Sequence, residues 1–445
     1  MRVELTSSDA PVGTPLGGRV FDCAPGALIE ATSTLHDEGG EAWTARGVFT
    51  SDRSGVVDFA VAASLSGTFS GVDQDGLFWS AQPNSADTRL PDMLAGRVDG
   101  GLVPTVAPLA ALVFEVAFRD TTTGNTEIRK VVRRRLAQNV RKSVLPAPLC
   151  GLLFEPETPN GAGVIVLGGS EGGVFPGRAA LLAAEGFTTL ALAYFAHPGR
   201  PDAAVELPMA YFGRALEWLS AREGISHTGI IGVSRGSEEA QLMVINAPNR
   251  IDCLIAWVPS HLIHRAIDLE AGQDFMTETR AMWSQDGHAL EGIAFCAADV
   301  YDNRVQRADF QTPGGRRYRE TFARAWQQTG AEAFRIPIER YGGPVLAVGG
   351  ADDALWPSDV GAERVIDAAR SRNEASDLLI CPSAGHLIGT PGEPRPYPYV
   401  MHWGGGYMGI DNGFCAYGGT PEGAAIAART SWKAALDFLH EHLCR

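Results

Sequence analysis

Up to about residue 140 the chain runs in short apolar segments cut by turn clusters: GALIEATSTL, WTARGVFTS, GVVDFAVA, ALVFEVAFRD and IRKVVRRRLA. Alternation at Leu112, Phe114, Val116 and Phe118 predicts a strand with one buried face. The Gly124-Asn125 step predicts a hairpin turn after it. No helical period of useful length occurs there, so an antiparallel sandwich of immunoglobulin-like outline is expected over residues 1–140. After VLPAPLCG the pattern changes. Apolar runs, VIVLGG, TTLALAYF, TGIIGVS, CLIAWVPS, PVLAVGG and LLICPS, alternate with segments of three- and four-residue periodicity. Those segments lie between Gly173 and Gly186, in AVELPMAYFGRALEWLSA, and from Pro421 to Leu443. This is the pattern of a mostly parallel sheet wrapped by helices, here residues 141–445. Residues 261–340 do not fit it, and a helical insertion able to cover the functional site is expected there.

Length changes the picture little: 445 residues suit two domains. The composition is that of a soluble globular chain, with no apolar run of about 18 residues to span a bilayer. The first residues, MRVELTSSDAPVG, lack the apolar core of a secretory signal, and a cytoplasmic location is expected. Seven scattered cysteines with no CxxC spacing suggest free thiols rather than a disulfide framework or zinc site. A net charge of −15 argues against nucleic-acid binding. One basic cluster stands out: Arg129, Lys130, Arg133, Arg134, Arg135, Arg141 and Lys142. It is read first as charge blunting an exposed edge strand, and second as a landing patch for an anionic acyl carrier such as coenzyme A.

The candidate chemistry sits at strand ends. TGIIGVS runs into RGSEEAQLMVI, so Gly232-Val233-Ser234-Arg235-Gly236 is a G-x-S-x-G at a strand-to-helix junction. The sharp turn needs residues with little side chain on both sides of the serine, and the helix behind it favours a developing oxyanion. A serine nucleophile needs a base and the base needs an orienting acid. In an α/β-hydrolase these follow in the order Ser, acid, His. GGADDALWP supplies Asp353, preferred to Asp352 for its spacing from Gly350 and Pro357, and PSAGHLI supplies His386. His261 and His264 precede the acid and are assigned solvent-facing or substrate-lining places. The oxyanion hole is expected from the N–H of Arg235 with Gly169 or Ser170, in the loop of VLGGSEGG. That loop lacks the Lys-Ser/Thr of a P-loop, no cofactor or metal is called for, and Glu171 within it is read first as an ordinary loop residue and second as a charge supporting the site from behind.

These motifs resemble one family, the acyl-CoA thioesterases and bile acid-CoA:amino acid N-acyltransferases, along nearly the whole chain. GVDQDGLFWSAQP is similar to the family's β-sandwich signature, VLGGSEGGVFPGRAALLAAEGFTTLALAYF to its first hydrolase unit and GVSRGSEEA to its nucleophile elbow. GGADDALWPS and PSAGHLI resemble its acid and histidine loops, and GGTPEGAAIAARTSWKAALDFLHEHL its last helix. The resemblance implies thioester cleavage through an acyl-enzyme, with Ser234, Asp353 and His386 in the triad. Acyltransferase members use cysteine, so the serine here favours water as acceptor. Two departures bear on substrate: a long segment between Ser234 and Asp353, and EPRPYPYVMHWGGGYMGIDNGFCAYGG after the histidine. Acyl transfer to an amine or alcohol, a specialised ester or amide hydrolase, and a catalytically silent binding protein are the competing readings.

Overall fold

The computed structural model describes residues 1–84, 107–268, 275–300, 317–394, 399–403 and 413–444. In the N-terminal region a seven-stranded sheet is built on Leu28–His36, Ala42–Thr50, Leu112–Asp120 and Thr126–Arg134, and Arg2–Leu5, Gly18–Phe21 and Val57–Asp58 form a three-stranded one. Leu112, Phe114, Val116 and Phe118 are all fully buried, as their alternation predicts, and pack with Trp43, Phe49 and Phe78. The hairpin closed by Gly124 and Asn125 pairs Thr126–Arg134 against Leu112–Asp120. GVVDFAVA departs from expectation, since only Val57–Asp58 is extended. The Asp58 carboxylate accepts the Ala60 N–H and its carbonyl those of Val61 and Ala62, which turns the chain away from the sheet.

The basic cluster is not one patch. Thr126–Arg134 is an interior strand, flanked by Asp9–Pro11 and Leu112–Asp120. Arg129 pairs with Glu127, Arg134 with Asp9 and Arg135 with Glu393. Arg133 is buried beneath the Phe78 ring. Only Arg141 and Lys142 stand on an edge strand, and Arg141 is paired with Glu155. Of the seven basic residues, four are thus paired with local carboxylates and one is buried, so the cluster does not present a single landing surface.

The C-terminal region is an α/β-hydrolase. Its strands are β1 (Val140–Val144), β2 (Cys150–Pro156), β3 (Ala162–Leu167), β4 (Thr188–Ala193), β5 (His227–Val233), β6 (Cys253–Trp257), β7 (Val345–Gly350) and β8 (Asp377–Cys381). They lie in the order β1-β2-β4-β3-β5-β6-β7-β8. From β4 to β8 all neighbours are parallel, while β2 is antiparallel to both β1 and β4. Strands β3, β4, β6 and β7 are buried along their whole length, so they read as unbroken apolar runs. Helices α1 (Pro176–Ala184), α2 (Met209–Ser220), α3 (Arg235–Asn246), α5 (Ser358–Arg370) and α6 (Pro421–Leu443) cover the two faces. Between β6 and β7 the expected helical insertion is mixed instead. Its described part holds helix α4 (Arg319–Gln327), a helical segment at 297–300, three 3-10 turns, and the strands Trp283–Gln285 and His288–Leu290. Asp286 and Gly287 both take positive φ there and close a tight hairpin, a turn chemistry that helical periodicity overlooks.

The two regions share a core seam. Leu181 of α1 and Ala425 of α6 pack into the N-terminal core, and Arg429 of α6 grips Asp73 through two hydrogen bonds of 3.2 and 3.0 Å. Asp73 also accepts the Trp79 indole N–H, so the DQDGLFW segment, with its four-residue helical turn Gly76–Trp79, forms the sandwich side of this seam.

Candidate active site

Ser234 stands between β5 and α3 with φ 54° and ψ −121°, a strained conformation that a non-glycine residue keeps only when its surroundings enforce it. The enforcement is visible. A side chain at Gly232 would stand 2.3 Å from the Gly236 carbonyl, and one at Gly236 would stand 2.0 Å from the Gly168 carbonyl. Both glycines are therefore required by close backbone approach, as the elbow argument predicts. The Ser234 N–H is held by the Trp257 carbonyl of β6, and its own carbonyl accepts the Ser237 N–H and hydroxyl.

Asp353 follows β7 and is fully buried. One carboxylate oxygen accepts the N–H groups of Leu355 and Trp356, and the other lies 2.8 Å from His386 Nδ1. His386 Nε2 lies 2.9 Å from Ser234 Oγ. With Nδ1–H donating to Asp353, Nε2 is left to accept the serine proton, the tautomer a general base needs. Asp352 is placed otherwise: it pairs with Arg317 in solvent and accepts the Gly419 N–H. The structure thus brings together Ser234, Asp353 and His386 and leaves Asp352 outside.

The segment after the histidine, which the sequence marks as unusual, is part of this frame. Strand Gly413–Gly418 threads between the acid and histidine loops. The Tyr417 carbonyl accepts the N–H of both His386 and Ala354, and Thr420 donates its N–H to Ser383. Trp356 packs edge-on against the His386 ring, with Tyr417 at its other side. Alternating Phe414, Ala416 and Gly418 was the signal for a strand here, obscured by the surrounding glycines.

Gly169 lies directly over the nucleophile, for a Cβ built on it would be 3.3 Å from the Ser234 Cβ. The buried Tyr194 hydroxyl reaches the carbonyls of Gly168 and Gly169 and fixes this loop. Glu171 is not remote from the site. Its carboxylate lies over Gly169, 2.7 Å from the position of that same Cβ. It is open to solvent at the mouth yet crowded by protein, and burial pushes its pKa above the ordinary value against the pull of its own N–H, His386 and Arg178.

His261 and His264 are not solvent-facing, and His264 has both ring nitrogens engaged within the protein. Both are buried. His264 Nδ1 lies 2.8 Å from Glu238, its Nε2 accepts the Trp326 indole N–H, and its ring stacks on Trp356. Burial alone would raise the Glu238 pKa, but Arg235 and His264 outweigh it and hold the carboxylate ionised. Its neighbour Glu239 has no such partners, and burial beside Glu238 drives its pKa far upward. The two carboxyls of the Ser-Glu-Glu of the elbow helix are therefore pushed in opposite directions, a distinction set by tertiary partners. Burial lowers His261 to about 4, which keeps it neutral. Among the described residues no group of metal-ligating side chains occurs.

Comparison with known proteins gives a consistent picture. Residues 207–445 match the family model described as BAAT / Acyl-CoA thioester hydrolase C terminal, and residues 15–143 that of the Acyl-CoA thioester hydrolase/BAAT N-terminal region. The chain is similar to rat acyl-coenzyme A amino acid N-acyltransferase 2, with 27% identity covering 100% of this chain and 98% of that protein. Mouse mitochondrial acyl-coenzyme A thioesterase 2 is 26% identical over 99% of this chain and 90% of its own. Mouse bile acid-CoA:amino acid N-acyltransferase is 29% identical, with 98% and 96% covered.

Proposed function

Since the chain belongs to the BAAT/acyl-CoA thioester hydrolase family, we propose that it hydrolyses acyl-CoA thioesters through an acyl-enzyme on Ser234. The observation carrying this reading is the unbroken hydrogen-bond chain of Ser234, His386 and Asp353, at 2.9 and 2.8 Å. His386 Nε2 takes the Ser234 proton as Oγ attacks the thioester carbonyl. The tetrahedral oxyanion is received by the N–H groups of Arg235 and Gly169 or Ser170, with the dipole of α3 behind. His386 then returns the proton to the departing coenzyme A sulfur. A water enters, gives its proton to His386 and attacks the ester carbonyl, and collapse of the second tetrahedral species frees the acid and restores Ser234. Asp353 keeps its negative charge throughout and holds the imidazolium in register.

Thiol release from short-, medium- and long-chain acyl-CoA tests this, with Ser234→Ala beside the wild type. Serine-dependent release is expected. No release from any member, or equal release by the variant, would overturn the thioesterase reading. Transfer to an amine is the second reading, favoured by the two N-acyltransferases among the relatives. Product analysis with and without an amino acid acceptor separates it. The seven cysteines form no disulfide with one another, which favours a reducing compartment such as the cytoplasm.

A further inference from the structure

The mechanism leaves one charged group beside the reacting atoms without a task. Glu171 Oε2 lies 2.7 Å from the ideal Cβ position of Gly169, which is itself 3.3 Å from the Ser234 Cβ. The carboxylate is thus within about 6 Å of the nucleophile's own side chain. It is presented by a turn that side chains would obstruct: Gly172 has φ 65°, and a Cβ there would meet Ala196 at 2.6 Å. Among the described residues Glu171 has no ion-pair partner. His386 and then Arg178 exert the charge that bears on it, and Arg178 also donates to the Ile388 carbonyl and covers the Trp257 ring.

A carboxylate here is a liability for a plain alkyl acyl group. The chain of the bound substrate would strip water from the carboxylate and return no hydrogen bond, which is costly for an ionised group. Its negative charge would also face the oxyanion forming over Ser234. Both costs are relieved if the substrate itself carries a donor. The acyl carbon bonds to Ser234 Oγ, and each further carbon moves the chain on by about 1.5 Å, so a group on the second or third carbon comes within reach of Glu171.

Resting on the acyl-enzyme reading above, we infer that Glu171 is a specificity-determining residue selecting acyl groups with an amino or hydroxyl donor close to the thioester carbonyl. The carboxylate accepts from that donor, fixes the acyl group's orientation over Gly169, and screens the oxyanion from its own charge. Plain fatty acyl groups are the disfavoured class.

The test uses butanoyl and 3-aminobutanoyl groups, each as the CoA thioester and as the 4-nitrophenyl ester, with wild type and Glu171→Gln. Wild type is expected to favour the amino group in kcat/KM by about tenfold or more, the scale of a hydrogen bond to a charged group. Glu171→Gln, similar in shape but neutral, is expected to bring that ratio close to one. A wild-type ratio near or below one, or a ratio that survives in Glu171→Gln, overturns the inference, as does failure to cleave the amino substrate in either series. Cleavage of the nitrophenyl esters without the thioesters would sink the thioesterase reading alone, and the ratio is then read from the esters.

Discussion

Gly236→Ala is the sharpest probe of the elbow, because the steric conflict it creates can be sized. The added methyl would stand 2.0 Å from the Gly168 carbonyl oxygen and 3.1 Å from both the Gly168 carbonyl carbon and the Leu167 oxygen. Real Cβ atoms essentially never approach other heavy atoms closer than 3.0 Å, so loop and elbow must part by about 1 Å. All the crowding atoms are backbone, and a rotamer change cannot absorb the clash. The loop that retreats is the one carrying Gly169 over Ser234, so separation opens the oxyanion site while the serine, histidine and aspartate remain. A misplacement of about 1 Å costs roughly a hundredfold in rate, or about 2.7 kcal/mol of barrier, with about 1–3 kcal/mol of overpacking taken from stability. Steady-state kinetics on an activated ester together with urea unfolding would read both. Gly177→Ala, where a side chain meets nothing within 4 Å, is the matched control and is expected to turn over normally. A folded Gly236→Ala enzyme with kcat within about threefold of wild type would refute the claim that this contact sets the oxyanion geometry.

Two further outcomes follow from the same coordinates. Asp353→Asn should lower kcat by about 10⁴-fold, because an amide cannot hold the required histidine tautomer, whereas Asp352→Asn, which loses a solvent-exposed pair with Arg317, should cost less than about tenfold; the reverse ranking in stopped-flow acylation would exchange their roles. Asp75 lies in the seam between the two regions with one carboxyl oxygen buried and unpartnered, and burial, reinforced by Asp73 and opposed by Arg429, raises its pKa to about 6. The folded state therefore holds this proton more tightly than the unfolded chain does, so its stabilisation is complete below about pH 4 and is lost as pH rises through 6. Asp75→Asn should gain stability over wild type at pH 8, by at most roughly 3 kcal/mol, and lose that advantage by pH 4; urea titrations showing the variant weaker at pH 8 would contradict the assignment.

The parts of this molecule legible from sequence are those with local causes. Buried parallel strands have to be largely apolar, which marked β3, β4, β6 and β7. The elbow needs small residues around Ser234, and the order of strand ends placed Asp353 and His386. Pro421 and Leu443 bound the last helix as periodicity predicted. The illegible parts depend on partners distant in the chain. Glu238 and Glu239 are adjacent and chemically identical, and only His264 and Arg235, folded against one of them, push their pKa values in opposite directions. The strand Gly413–Gly418 was hidden because it is stabilised by the loops it joins. Glu171 looked ordinary because its proximity to Ser234 comes from the turn through Gly172 and Gly173, not from spacing along the chain.

The grip of Arg429 on Asp73, and the burial of Leu181 and Ala425 in the sandwich core, bear on ancestry. Helix α6 begins at Thr420, whose side chain caps it and whose N–H secures the histidine loop, and one turn later the same helix enters the neighbouring core. A gene fragment encoding only the hydrolase would inherit apolar residues and a guanidinium with nothing to cover them. Recombination that separates the two regions would therefore expose this seam and leave Asp73 without its guanidinium.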